Sequence, residues 1–573
     1  MRLIDYYNYI ATAAYILLGV AALCLYFKGK KKNAPVLGGG VTFILFILIM
    51  LAASFLRLYK LDIVPLGLQQ DEASIGYDAY ALATYGIDRN GYNWPIYPIT
   101  WGCGGGSPLL IYLNVISIKL FGTGIVKLRM IPAVCGILTV ALFYFTLRLV
   151  FEGRRYKNEL SLLGAAFLAI SPWHVILSRW SLDSNIMPFN MMVAVYLFML
   201  AMKKKSTLLY CLSAAAFSVC MYSYGAATIV IPIFLLLICI YCLSMKVLNF
   251  RQLLGAFATF LVIFSPLLLF YAINYLGLPE IVTDRFCFNK FTAARTGEAF
   301  ISFDGNLPAK IAGNLKSMAL AVSIGDEKHT LAHYLPGYAS LFEFTFPVTI
   351  IGIIISIRDL FNVKRAKEGN EFLYRAGNAV FLFLTFACVV LGIITLPDTN
   401  RMVMMFIPFI FFFVKGAGFI LESSRVLFAI LAGILLIGAL SFTRDYFRDY
   451  NEWATSIYMP GYGNAIKRAY EIAGDERMIY STYEGLSSPF MLALYYNNYD
   501  PHKFYTTVEY KDEKAEFRIA RSFGNFRFEL PGNEREKADL GDVFVVATSE
   551  TGLFEGDDSL HTEEYGGYVV VYR

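Results

Sequence analysis

Charge is scarce in this chain. Only 16% of its 573 residues are charged, 57% are hydrophobic, and the mean hydropathy is +0.54. Soluble domains carry roughly 25% charged residues, so the apolar excess has to face lipid rather than water. Histidine is scarcer still, at five residues. The nine cysteines form no Cys-x-x-Cys or Cys/His spacing, so ligand spacing supports neither a zinc centre nor any other divalent metal site. Seven of the nine (Cys24, Cys135, Cys211, Cys220, Cys239, Cys242 and Cys388) lie in apolar runs and read as small core residues, with only Cys103 and Cys287 in polar loops. A disulfide framework is therefore not indicated. The net charge of +5 is small for the length and leaves no footprint for nucleic acid. Gly104, Gly105 and Gly106 carry no nucleotide fingerprint, and no cofactor is called for. No solenoid repeat and no low-complexity tract occurs.

What is abundant is apolar runs of spanning length, roughly 17–25 residues. About twelve occur, at 10–27, 36–59, 126–150, 161–177, 186–202, 208–224, 226–243, 253–275, 342–357, 379–396, 402–421 and 426–442. The first reads as a span, because no small-residue cleavage site precedes Lys28. Basic clusters at 28–32, 154–157, 203–205, 246–251 and 358–375 alternate with acidic, aromatic or proline-rich loops. One threading puts every basic cluster in the cytoplasm, and it leaves both termini and Asp71-Glu72 outside. The apolar stretch 108–121 is too short for a span, and crossing there would invert every later loop. It is expected as an amphipathic lid helix on the outer face.

The fold class read from this pattern is an α-helical polytopic membrane protein with a small C-terminal extracytoplasmic α/β domain. Residues 1–35 form an extra N-terminal membrane helix and basic loop. Residues 36–442 form the main membrane domain, with long outer loops at 60–125 and 277–341, and residues 443–573 form the tail domain. Within the tail, strands are expected at 478–483, 542–547 and 568–572, a helix at 488–497 and a turn at 531–533.

Unusual residues gather in the outer loops. Asp71 and Glu72 stand close to the membrane surface in a loop walled by aromatics, where partial desolvation raises a carboxylate's basicity and suits a general base. Equally, Asp71 reads as the N-cap of an amphipathic helix over 73–85, with Glu72 favoured by the helix dipole. Arg129, Arg179 and Arg401 all stand at outer helix ends. The planar guanidinium holds phosphate through two parallel hydrogen bonds, while interfacial snorkelling is the alternative. His174 and His333 could shuttle protons or touch phosphate, or make ordinary polar contacts.

The ordered set Asp71-Glu72, Gly86-Ile87-Asp88, Ser107-Pro108-Leu109, Tyr112-Leu113, Leu120-Phe121-Gly122 and Arg129-Met130-Ile131-Pro132 resembles the first outer loop of GT-C glycosyltransferases. The nearest group is that of the protein O-mannosyltransferases and aminoarabinose transferases. Ser171-Pro172-Trp173-His174, Ser178-Arg179 and Asp183-Ser184-Asn185 are similar to that group's next outer turn, and Asn400-Arg401 with Pro408 and Gly416 to a late helix. The resemblance covers roughly residues 51–421, making 36–442 a GT-C-like catalytic domain. It implies inverting transfer of a sugar from a polyprenyl-phosphate donor to a glycan, lipid or protein acceptor, at the outer face of the plasma membrane. Asp71 would be the catalytic base, Glu72 would support it or contact the acceptor, and Arg129, Arg179 and Arg401 would bind the donor phosphate or shape its pocket. His174, Asp183, His333 and Tyr112 are further candidates for substrate contact. Membrane lipids are the remaining expected partner. The chain departs from the group at Ser74 and Ser107, where many relatives carry a basic residue, at Gly106, where some carry an acid, and at Met402, where an aromatic is common. From other classes, a multi-pass transporter or flippase and an envelope assembly protein are the alternatives.

Overall fold

The computed structural model describes residues 3–28, 36–293, 300–301, 305–325, 331–361 and 369–573. Parts of the expected basic clusters at 28–32 and 358–375 lie outside the described residues. Among the described residues, ten helices are long and apolar enough to cross a membrane: Leu3–Phe27, Gly39–Leu58, Ile125–Val150, Asp183–Lys204, Ala227–Ser244, Phe250–Tyr275, Glu343–Phe361, Gly369–Ile394, Phe406–Ser423 and Arg425–Tyr458. Two of the twelve expected spans are shorter. Thr207–Ser223 has 17 residues, and the run at 161–177 is broken into Lys157–Ile170 and Pro172–Leu177. The break has a covalent cause. Pro172 has no N–H, and it holds the preceding Ser171 in extended backbone at φ −63°, ψ 131°. The carbonyls this leaves open are filled from another helix: Arg57 donates to Leu168 O at 3.4 Å and to Ala169 O at 3.0 Å.

The apolar stretch at 108–121 is the helix Pro108–Phe121, with Ile116, Leu120 and Phe121 well exposed. Arg425–Tyr458 runs for 34 residues, about 51 Å at 1.5 Å per residue. It outruns the expected span, so the boundary drawn at 442/443 falls inside a continuous helix. The tail domain follows its end.

That region holds a seven-stranded mixed sheet in the order Glu509–Tyr510, Ala520–Phe523, Phe526–Arg527, Ile479–Ser481, Val543–Ala547, Tyr568–Tyr572, His561–Tyr565. Ile479–Ser481 pairs in parallel with both neighbours, and the other pairings are antiparallel. Val543–Ala547 is buried along its whole length, as a strand covered on both faces must be. One hydrophobic core joins this region to the helix Gln70–Tyr85: Ala73, Tyr77 and Leu82 pack with Ile466, Phe490 and Leu494. The approach is close enough that a β carbon on Gly76 would lie 2.5 Å from the Tyr495 ring. Gly67, at φ +93°, lies where a side chain would strike the Tyr458 carbonyl, and Leu68 N donates to that carbonyl at 2.9 Å. The loop carrying Asp71 is thus docked on the end of the long helix.

Candidate active site

The segment after Gly39–Leu58 leaves the helix, turns at Gly67 and re-enters helix at Gln70–Tyr85. Its N-cap is Gln69, not Asp71, which corrects the capping alternative. The Gln69 side chain accepts from Asp71 N, and Glu72 closes the box by accepting from Gln69 N at 3.3 Å. Both carboxylates therefore lie in the first turn, where the helix dipole favours negative charge.

The two neighbours have opposite surroundings. Glu72 is fully buried. Its Oε1 accepts from Arg129 Nε at 3.0 Å and from Ser181 N at 2.7 Å, and its Oε2 from Arg129 Nη2 at 2.9 Å. That carboxylate is saturated by protein donors. Asp71 is only partly buried and, among the described residues, forms no ion pair. The Gln69 amide donates to its Oδ2 at 3.3 Å, and the Trp101 indole also donates to it. Burial raises its pKa above the ordinary carboxylate range. The Gln69 and Trp101 hydrogen bonds and the nearby Arg89 charge offset this in part, and Glu72 adds to it.

Two of the three expected phosphate ligands are engaged elsewhere. Arg129 is fully buried, and besides Glu72 it donates to the carbonyls of Leu61 at 3.2 Å, Pro65 at 2.7 Å and Gly67 at 2.7 Å. Every N–H group of that guanidinium has a protein partner. Arg179 is likewise buried and donates to Leu56 O, Tyr59 O, Lys60 O and Val64 O, carbonyls at and just beyond the end of Gly39–Leu58. These arginines hold the loop 56–67 in shape, and both guanidinium groups are taken up largely by protein acceptors. Arg401 differs. It keeps a quarter of its side chain exposed, lies 3.5 Å from Asp398 and donates to Leu396 O at 2.6 Å.

The remaining candidates are mostly structural. Tyr112 donates to Pro95 O and stacks on Trp94. His174 is fully buried with Nδ1 2.6 Å from Arg57 Nη2, so that nitrogen is taken up by a protein partner. His333 is buried beside the Trp180 ring, its pKa lowered to about 4 by burial. Asp183 accepts from Ser107 N at 2.9 Å, Ser107 Oγ at 2.7 Å and Ser184 N at 2.8 Å, and it lies within electrostatic reach of Asp71. It ties the start of Pro108–Phe121 to the 183–186 turn beside Asp71. Among the described residues, no group of three or more His, Cys, Asp or Glu side chains is placed to hold a metal ion.

His333 gives a test of this environment. Its folded pKa is below the unfolded value of about 6.5, so the stability it contributes is present above pH 6.5 and lost as pH falls through about 4. His333→Phe is expected to flatten the fall in melting temperature between pH 6.5 and 4, measured on the purified protein. An unchanged slope would contradict a neutral buried His333.

Sequence reasoning missed Gln69, Trp101 and Arg89. Arg89 follows the Gly86-Ile87-Asp88 motif directly, and its Nη2 lies 2.6 Å from Ser74 O and 2.7 Å from Ser74 Oγ. The positive charge absent at position 74 thus arrives through space, held by the buried pair Arg89–Asp78 at 2.8 Å. A motif quoted one residue further would have included it.

Residues 106–270 match the family model described as dolichyl-phosphate-mannose-protein mannosyltransferase. No curated protein matches the chain. Among solved structures, ArnT from Cupriavidus metallidurans bound to undecaprenyl phosphate is 14% identical, over 93% of this chain and 98% of that one, with a TM-score of 0.45. The oligosaccharyltransferase AglB from Archaeoglobus fulgidus, in complex with an inhibitory peptide and a dolichol-phosphate, is 13% identical over 79% of this chain and 63% of that one, with a TM-score of 0.42. The S. cerevisiae protein O-mannosyltransferase Pmt1-Pmt2 complex bound to the sugar donor is 20% identical over 46% of this chain and 35% of that one, with a TM-score of 0.31. Likenesses this distant carry no assignment. The family match takes in Pro108–Phe121, Arg129 and the 171–185 turn, and ten helices among the described residues are long and apolar enough to cross a membrane.

Proposed function

We propose that this protein transfers a sugar from a polyprenyl-phosphate donor to an acceptor hydroxyl on the extracytoplasmic face, with Asp71 as general base. The observation that carries this reading is the contrast within the acid pair. Glu72 is saturated by Arg129 and Ser181, while Asp71 stays partly exposed with raised basicity. In the reaction, Asp71 takes the proton of the acceptor hydroxyl as its oxygen bonds to the anomeric carbon from the face opposite the phosphate. The bond from that carbon to the phosphate oxygen breaks, and polyprenyl phosphate leaves with the electron pair. The configuration inverts. Because the leaving group is already a phosphate, no nucleotide is needed. Asp71 precedes the segment that matches the family, so its role rests on geometry and on the ordered motifs.

Glu72, Arg129 and Arg179 act as positioning residues in this reading, fixing the loop that aims Asp71. Arg401 is the arginine with exposure left to meet a donor phosphate. Arg401→Ala is expected to raise the donor KM roughly tenfold, the scale of one lost charged hydrogen bond, with melting temperature unchanged. An unaltered donor KM would remove it from the phosphate site. The extracytoplasmic placement is supported by the basic clusters at 154–157, 203–205 and 246–251, which follow the far ends of helices from the Asp71 side.

Mass spectrometry of envelope glycans and lipid-linked sugars, in cells with and without the gene, tests the activity. The expected result without it is one envelope component lacking a sugar and accumulation of the polyprenyl-phosphate sugar. Unchanged glycans with altered solute uptake would favour a transporter instead.

A further inference from the structure

A cavity of about 1000 Å³ lies at the opposite end of the membrane unit from Asp71. The helix Ile125–Val150 shows the separation: Arg129, near its start, borders the Asp71 loop, and Phe151, just past its end, lines the cavity. Those residues are about 33 Å apart along the helix. This is the end that the basic clusters mark.

Two parallel spans, Leu3–Phe27 and Glu343–Phe361, wall the cavity with apolar side chains, among them Val20, Leu23, Ile351 and Ile354. They approach closely at Gly19, where a β carbon would lie 2.9 Å from Ile351 Cδ1. Ile354, Val20 and Ile16 line the cavity and stay 61%, 53% and 49% exposed on helices long and apolar enough to cross a membrane, so protein does not close over this apolar wall.

The floor is cationic. Among the described residues, Arg154, Arg155, Arg358, Arg375 and Lys415 stand there with the carboxylates Asp359, Glu371 and Glu422, an excess of two positive charges. Asp359 is shared by Lys415 at 2.7 Å and Arg358 at 3.0 Å, and Glu371 by Arg154 at 2.7 Å and Arg375 at 3.3 Å. Each of these two carboxylates therefore gathers a pair of cations, Asp359 nearly covered by them and Glu371 still 44% exposed. Lys415 is the costly member. It is buried in the apolar helix Phe406–Ser423, where its ammonium donates to Asp359 and the Tyr374 hydroxyl, and an ionisable residue at such a depth marks a functional site. Tyr374 completes the arrangement by donating to Asp359 Oδ2 at 2.9 Å.

We infer that this cavity binds an anionic phospholipid of the surrounding leaflet, its phosphate on the guanidinium groups of Arg154, Arg155 and Arg358 and its acyl chains between the two apolar spans. The lateral opening and the length of apolar wall fit a lipid and give a small soluble anion no use. The excess of cations over carboxylates selects a net negative headgroup over a zwitterionic one. This site is separate from Asp71, and its occupancy is independent of sugar transfer.

Lipid titration of the purified full chain in detergent, followed by native mass spectrometry, tests it. Phosphatidylglycerol and phosphatidylcholine with identical acyl chains are compared, with glycerol 3-phosphate as the soluble competitor. The expected result is phosphatidylglycerol bound about tenfold more tightly or better, the scale of a few juxtamembrane cations. Arg154→Ala/Arg358→Ala should abolish the preference. Val20→Trp, which fills the apolar wall without touching a charge, should lower occupancy by both lipids and serves if the double variant does not fold. Equal binding of the two lipids would overturn the proposal, as would an undiminished preference in the double variant. Displacement by millimolar glycerol 3-phosphate would show a soluble-phosphate site and overturn it as well.

Discussion

Asp71→Asn is expected to lower kcat for sugar transfer by at least about a thousandfold while leaving the fold intact. General-base catalysis contributes roughly 10²–10⁴-fold, and this site offers no substitute of the same reach. Glu72, its neighbour, is locked in the Arg129 pair and cannot turn to the substrate without leaving Arg129 buried and unpaired. Asparagine keeps the shape and can still receive the Trp101 indole hydrogen bond that Asp71 accepts. Melting temperature and donor KM should therefore stay close to those of the parent protein. Because the Asp71 pKa is raised, the active unprotonated form is gained only as pH rises above the ordinary carboxylate range. The acid limb of the kcat/KM profile should lie correspondingly high. A variant with kcat within about tenfold of the parent would remove Asp71 from the role of base.

The second large effect is on stability. Arg129→Met is expected to destabilise the protein by about 3–5 kcal/mol, the cost of leaving one partner of a buried ion pair uncompensated. Glu72 would lose two of its charge-assisted hydrogen bonds, and the carbonyls of Leu61, Pro65 and Gly67 would lose their donor together. The loss should appear as a large drop in melting temperature. Replacing both partners, as Arg129→Met/Glu72→Gln, should recover part of it, because no bare carboxylate then remains buried. If Arg129 instead held donor phosphate, the single variant would keep its melting temperature and raise the donor KM. The two roles thus separate cleanly in one pair of measurements.

Elements set by local pattern were legible in the sequence. The helix Pro108–Phe121 begins at a proline, whose missing N–H suits the first turn, and ends before Gly122. The strands Val543–Ala547 and Tyr568–Tyr572 are continuous β-branched and aromatic runs. Strands of two to four residues, such as Glu509–Tyr510 and Ala520–Phe523, are too short to show alternation, and they form only because neighbouring strands pair with them. The break at Ser171-Pro172 was hidden for a different reason. The apolar run continues through it, and the arginine that fills the freed carbonyls comes from residue 57, more than a hundred positions away.

The candidate site divides in the same way. Asp71 and Glu72 stood out by residue type and motif order, yet nothing in the types distinguishes them. Only the fold shows that Arg129 and the Ser181 amide converge on Glu72 and leave Asp71 open. An arginine at an outer helix end reads equally well as a phosphate ligand or as a clasp on backbone carbonyls. Arg129 and Arg179 prove to be clasps because the chain between 56 and 67 turns back on itself and presents its carbonyls to them. Gln69 was passed over because glutamine is an uncommon cap, and Trp101 because its contact with Asp71 spans a loop of thirty residues.

The central claim is most directly tested by following both products of one turnover. Purified protein in vesicles would be given polyprenyl-phosphate donor carrying an isotope-labelled sugar, with envelope extract from cells lacking the gene as acceptor. The account predicts release of polyprenyl phosphate in step with label appearing on the acceptor in inverted configuration, and neither product from Asp71→Asn. Equal turnover by that variant, or label reaching the acceptor with retained configuration, would contradict it.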